Sequence, residues 1–192
     1  MPNLLAASIA LALFSVTPAF AVSSTDLALF GKDPGNDRAF ACYERHYDPA
    51  HLKAHPKQNV TDMTLLVDSK VDDQRTYDLS IGVSFRKVKT QFQVSGSCSG
   101  TIDGKALLDC GVDCDGGMIN VRLKDANSIL VDIPYGARTW DPTTDEDTDP
   151  GTDNPAAQFG PDDKSFRLDR VSLKLCSNLV NDDDKALLSD AQ

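Results

Sequence analysis

Apolar and polar residues alternate with a period of two through successive segments between Thr76 and Ile133. The clearest run has apolar side chains at Tyr77, Leu79, Ile81, Val83 and Phe85. Because successive side chains of a strand point to opposite faces, this pattern predicts a sheet with one buried and one solvated face. Such sheets are typical of antiparallel structure, so the sequence predicts an all-β fold.

Eight segments can form strands, and short turn sequences connect most of them. The predicted ranges are 39–47, 60–67, 76–86, 89–98, 106–114, 118–124, 128–134 and 165–175. Connections such as Asp103-Gly104 and Gly116-Gly117 favour tight hairpins between neighbours in sequence. The sequence therefore predicts an antiparallel meander that forms a closed or partly closed eight-stranded barrel, with a two-layer β-sandwich as the alternative.

The last predicted strand changes its periodicity. Its apolar residues fall at even positions, Phe166 and Leu168, and then at odd positions from Val171 onward. An extra residue in a strand shifts the pattern in this way, so we expect a β-bulge near Asp169-Arg170.

One short helix is predicted near 49–55. Asp48 is a typical N-cap residue and Pro49 suits the first helical position. Pro56 ends the helix, because proline disfavours helical geometry in the residue before it.

The first 21 residues have the features of a secretory signal peptide. They carry no charged side chain, contain an apolar run and end in Ala19-Phe20-Ala21. We therefore expect a secreted or periplasmic protein, with no membrane span because no later segment has about 20 apolar residues. The expected layout is a flexible N-terminal arm at 22–37, a single β-domain at 38–176 with an acidic loop at 135–164, and an acidic C-terminal tail at 177–192.

The chain is strongly acidic, with a formal net charge of −10. Such a surface repels nucleic acid and anionic membranes. The expected partner is therefore a small molecule or a protein, and not a nucleic acid.

Five cysteines follow the leader, an odd number in a protein expected to be oxidised. A turn at Asp103-Gly104 would bring Cys98 close to Cys110, which favours a bridge between them. Cys42 and Cys176 flank the β-domain and could tie its ends together, which would leave Cys114 unpaired.

An acidic run interrupts the alternation between Pro134 and Lys164. Asp145, Asp147 and Asp149 have the alternate spacing of calcium loops, and Asp153 adds a fourth carboxylate nearby. The match is partial, since the glycine and the twelfth-position glutamate of the helix-loop-helix motif are missing. We therefore expect a solvated acidic loop and no cofactor, with weak calcium binding as the alternative.

All three histidines lie within ten residues, at His46, His51 and His55. Residues four apart share a helix face, so His51 and His55 could bind zinc or copper with His46 as a third ligand. The alternative is that they are ordinary surface residues.

Tyr135, Arg138 and Trp140 directly precede the acidic run. Aromatic and arginine side chains together are typical of binding surfaces. Alternatively, Trp140 covers one end of the barrel.

The sequence contains no nucleophile elbow, zinc-protease motif or phosphate-binding glycine loop. The resulting hypothesis is an exported, non-catalytic binding or structural β-domain. The alternatives are a calcium- or transition-metal-binding secreted protein and a hydrolase with its site at the barrel mouth.

Overall fold

The computed structural model describes residues 24–100, 107–144 and 154–190, and in them eight antiparallel strands form a closed barrel. The strands are β1 (Ala39–His46), β2 (Val60–Val71), β3 (Arg75–Phe85), β4 (Phe92–Gly100), β5 (Leu108–Val112), β6 (Met118–Asp125), β7 (Ser128–Asp132) and β8 (Ser165–Val171). Each strand pairs with the next, and β8 pairs with β1 with Tyr43 opposite Arg170, which closes the ring. The predicted all-β meander barrel is confirmed, and the architecture is not a sandwich.

The predicted bulge in β8 is wrong. The pairings of β8 with β7 and β1 run without a register shift, and the strand ends at Val171. Ser172 then caps a 3-10 helix, Leu173–Leu179, in which Leu173, Cys176 and Leu179 belong to a different packing surface and Leu175 is 48% exposed. The change of periodicity therefore marks the end of the strand and the start of a new element.

The barrel interior is a packed core of side chains. Inward-facing residues from all eight strands have almost no exposed surface; among them are Tyr43, Leu65, Ile81, Phe92, Leu108, Ile119, Ile129 and Phe166. This is the expected outcome for an eight-stranded barrel, whose interior is just wide enough for side chains.

Helix α1 (Ser24–Phe30) covers one end of the barrel, within the segment expected to be a flexible arm. Leu29 is completely buried in the core, and its carbonyl accepts a hydrogen bond from the Tyr43 hydroxyl at 2.8 Å. Asp26 is also buried and pairs with Arg75 at 3.1 Å. These contacts hold in place a helix that is too short to be stable alone. Residues 1–23, which include the predicted signal peptide, lie outside the described residues.

The opposite end, which we call the loop end, is formed by the connections β1–β2, β3–β4, β5–β6 and β7–β8. The first of these contains helix α2 (Pro49–Ala54), close to the range that the sequence predicts, and Asp48 caps it by accepting the His51 N–H at 2.8 Å. The β7–β8 connection is anchored by Asp163, whose buried carboxylate accepts the N–H groups of Asn59 and Gly160, each at 2.7 Å. Burial raises the pKa of Asp163 in spite of these donors.

The segment expected to be an acidic tail packs on the outside of β1 and β2. There Leu173–Leu179 and helix α3 (Asp182–Asp190) form a second apolar cluster. Its buried members are Cys42, Leu66, Cys176, Leu179 and Leu188. Arg38 extends from the start of the barrel to Asp184 in α3 at 2.7 Å and to Asp68 in β2 at 2.5 Å.

Two disulfides are present, with the pairing that the sequence favours. Cys42 in β1 is bonded to Cys176, and Cys98 in β4 is bonded to its cross-strand neighbour Cys110 in β5. Cys114 is free and exposed. Within the described ranges, none of the helices has the length and apolar content needed to cross a membrane.

Candidate functional site

A groove at the loop end contains two of the three predicted binding residues. It has a volume of about 510 Å³, is open to solvent and lies between the β5–β6 turn and the β7–β8 connection. We call it the loop groove; its lining residues are Cys114, Asp115, Gly116, Gly117, Tyr135, Gly136, Ala137, Arg138, Thr139, Gln158 and Phe159. Its size lies in the range of ligand pockets, about 300–1,000 Å³, but its open shape leaves much of any bound group in contact with water.

Tyr135 and Arg138 lie together in the loop groove because a tight turn follows β7. The Gly136 N–H bonds back to the Ile133 carbonyl, and Gly136 has a φ of 82°, which favours glycine. This turn exposes 90% of the Tyr135 side chain. The Arg138 N–H then donates to the Gly116 carbonyl at 2.8 Å, which holds this segment against the β5–β6 turn.

Trp140 is separated from Tyr135 and Arg138. Its backbone exchanges two hydrogen bonds with Gln93 at the start of β4, with lengths of 2.8 and 2.9 Å. The side chain is half-buried there and does not line the loop groove. The three residues therefore do not form one site.

The β5–β6 turn has an unusual backbone. Cys114 and Asp115 both have a φ of 55°, in the left-handed region that residues with a Cβ seldom adopt. Gly116 makes the turn possible, since a Cβ there would lie 2.7 Å from Arg138 Cβ and 2.6 Å from Val112 Cγ1. Strain of this kind is concentrated at functional sites, which supports the choice of this region.

The floor of the loop groove is closely packed. Phe159 packs edge-on against Phe85 and Phe166, at centroid distances of 5.8 and 6.2 Å. The buried Thr139 hydroxyl donates to the Ala157 carbonyl at 3.1 Å. Sequence reasoning missed Phe159 and Gln158 because they lie in an irregular segment, where neither periodicity nor a motif marks them.

The histidines do not converge on a common point. His46 is exposed on β1 and bonds through Nδ1 to the Asp62 carboxylate at 2.5 Å, which raises the pKa of His46. The rings of His51 and His55 stack face to face with centroids 4.4 Å apart, and His51 Nε2 lies 3.0 Å from Gln58 Oε1.

Across the described residues, no group of three or more histidine, cysteine or acidic side chains comes together in a way that could hold a metal ion. Cys42 cannot supply a thiolate because it is bridged to Cys176. The transition-metal hypothesis for His46, His51 and His55 stays a prediction.

The structure does not test the calcium hypothesis. Asp145, Asp147, Asp149 and Asp153 all lie outside the described residues. Before this acidic run in the sequence, Asp141 caps a turn by accepting the Thr143 N–H at 2.9 Å. After it, Asn154 caps the 3-10 helix Pro155–Ala157.

Comparison with protein-family models, curated proteins and solved structures gave no match to this chain. The function is therefore inferred from the packed interior of the barrel and from the geometry of the loop end.

Proposed function

We propose that the protein is an exported, non-catalytic binding or structural β-domain that contacts its partner through the loop groove, on the outside of the barrel. The packed interior is the main support for this proposal. Tyr43, Phe92 and Phe166 are each at most 2% exposed, so a ligand cannot occupy their place without unfolding the core. The two disulfides are compatible with export to an oxidising compartment.

A protein segment is the partner that best fits the loop groove. Small-molecule sites usually enclose most of their ligand, whereas this groove is open. Its exposed side chains include Tyr135 and Arg138, and Met118 is exposed directly beside it. Tyrosine, arginine and methionine are all enriched in protein interfaces.

Site-specific photo-crosslinking tests this proposal. A photoreactive amino acid is introduced at position 135 and, as a matched control, at Leu123, which is 48% exposed near the opposite end of the barrel. In the exporting cell, we expect a crosslinked protein partner at position 135 and none at position 123.

The partner is then purified and titrated with variants. Tyr135→Ala and Arg138→Ala should each weaken binding at least about tenfold, as is typical of central interface residues, whereas Leu123→Ala should have no effect. Crosslinking at position 123 alone, or unchanged affinity of both loop-groove variants, would contradict the proposal.

A further inference from the structure

The loop end carries a cluster of cationic side chains outside the loop groove. It consists of Lys53, Lys57, Arg86, Lys87 and Lys89, and we call it the cationic patch. All five side chains are exposed, and none forms an ion pair with a described acidic residue.

This lack of pairing is unexpected in such an acidic chain, which has 29 acidic and 19 basic residues. Elsewhere on the barrel, arginines such as Arg38, Arg75 and Arg122 pair with aspartates. The sequence has no acidic residue at 49–61 or at 79–102, the two stretches that contain the patch. These two stretches therefore carry no negative charge, and the residue directly before the first of them is Asp48, the N-cap of α2.

The fold joins the two stretches through Arg86. Its guanidinium donates to the carbonyls of Leu52 and Gln58, both at 2.6 Å, and to the carbonyl of His55 at 2.9 Å. The Arg86 N–H also donates to the Asn59 carbonyl at 3.0 Å. The β3–β4 turn is thus fixed against α2, and lysines that are at least 30 positions apart in sequence form one surface.

A column of stacked rings lies beside these cations. Tyr47 stacks on His51 with centroids 4.7 Å apart, and His51 stacks on His55 at 4.4 Å. His55 is the exposed end of the column. An exposed flat ring next to several positive charges suits a ligand that has both anionic groups and ring faces.

The charge of the whole molecule limits the shape of the ligand. A planar anionic membrane would approach the acidic residues around the patch as well as its lysines, and with a net charge of −10 it would be repelled. A thin chain can contact the patch alone, because interactions beyond the Debye length of about 8 Å are screened at physiological salt. Lysine ammonium groups also suit diffuse attraction to several anionic groups better than bidentate recognition of one.

We propose that the cationic patch binds a flexible anionic polysaccharide, which lies across α2 and the β3–β4 turn with a sugar ring against His55. This surface is separate from the loop groove, and the proposal does not depend on the protein partner suggested above.

Calorimetric titration with a heparin oligosaccharide of defined length, at several salt concentrations, tests the proposal. We compare Lys87→Gln/Lys89→Gln and Lys53→Gln/Lys57→Gln with the control Lys124→Gln/Lys174→Gln, which removes the same charge from two exposed lysines outside the patch. Each patch variant should bind heparin at least about tenfold more weakly than the wild type. The negative slope of log K against log salt should become shallower by about one for each lysine removed. The control should bind within about twofold of the wild type, and Tyr135→Ala should bind as the wild type does.

Three further probes identify the ligand class: neutral dextran, inorganic polyphosphate and phosphatidylglycerol vesicles. Heparin binding that exceeds binding of all three supports the proposal. An equal loss of heparin binding in the control variant would show that only net charge matters and would overturn it. Binding of polyphosphate or vesicles without binding of heparin would also overturn it.

Discussion

At the scale of single residues, Gly116 determines the shape of the loop groove. Its Cα faces Arg138 Cβ so closely that no side chain fits between the β5–β6 turn and the segment after β7. The neighbouring Cys114 and Asp115 adopt left-handed backbone conformations to complete the turn. The position of Arg138 therefore depends on the absence of a side chain two residues after the free cysteine.

We predict that Gly116→Ala destabilises the protein by about 1–3 kcal/mol, since the added methyl forces Arg138 or the backbone of Asp113 to move. Gly111→Ala is the matched control, because a Cβ at Gly111 meets open space. Its effect should stay within about 0.5 kcal/mol. Denaturant unfolding of both variants measures the difference, and equal stability of the two would refute the close contact.

At the scale of elements, the C-terminal segment is part of the fold and covers the outer face of β1 and β2. Leu179 and Leu188 are buried against this face, and the Cys42–Cys176 disulfide fixes the start of the segment. The segment buries apolar surface that a meander barrel would otherwise expose on its first two strands.

The two disulfides should contribute unequally to stability. Cys42–Cys176 closes a sequence separation of 134 residues and Cys98–Cys110 one of 12. The chain-entropy model then predicts that the free energy of unfolding falls by about 5 kcal/mol when Cys42 and Cys176 are replaced by alanine. The corresponding loss for Cys98 and Cys110 is about 3 kcal/mol. Denaturant unfolding of the two double variants tests the order, and a larger loss for Cys98→Ala/Cys110→Ala would contradict it.

Helix α3 should be docked less stably on the barrel in acid. The hydrogen bond from Arg38 lowers the pKa of Asp184 in the folded state below its ordinary value of 3.8. The interaction therefore stabilises the docked helix above pH 3.8 and is lost as the pH falls through the lowered pKa.

Hydrogen exchange of residues 182–190 at pH 5 and at pH 3 measures this loss of docking stability. After correction for the intrinsic exchange rate at each pH, we expect the amides of the wild type to be less protected at pH 3 than at pH 5. In Asp184→Asn, the difference in protection between the two pH values should be smaller. Equal protection at both pH values in the wild type would contradict the role of Arg38.

At the scale of the whole molecule, the barrel could be predicted from sequence because its signal is local. Alternating apolar residues such as Leu79, Ile81 and Val83 indicate which face of the sheet each side chain occupies. Short turns indicate that strands adjacent in sequence are adjacent in the sheet. The count of eight strands favours closure between β1 and β8, provided that the segment at 39–47 is counted as the first strand.

Helix α2 could be predicted from its cap Asp48 and from Pro49, but helices α1 and α3 and the loop groove have no such local signal. Helix α1 is held by tertiary contacts such as that of Tyr43 with Leu29, which leave no periodic pattern. The loop groove brings Gly116, Arg138 and Phe159 together from irregular segments. The cationic patch did have a sequence signal, the absence of acidic residues at 49–61 and 79–102, but its significance depends on the contacts of Arg86.

The central claim is that the barrel is a packed scaffold and that binding takes place on its outside. A crystal structure determined under xenon pressure tests it most directly, because xenon enters apolar cavities that stay dry. We predict no xenon among Tyr43, Phe92 and Phe166, which fill the interior. Ordered xenon inside the ring of strands would reveal an internal cavity and would favour a carrier of apolar ligands instead.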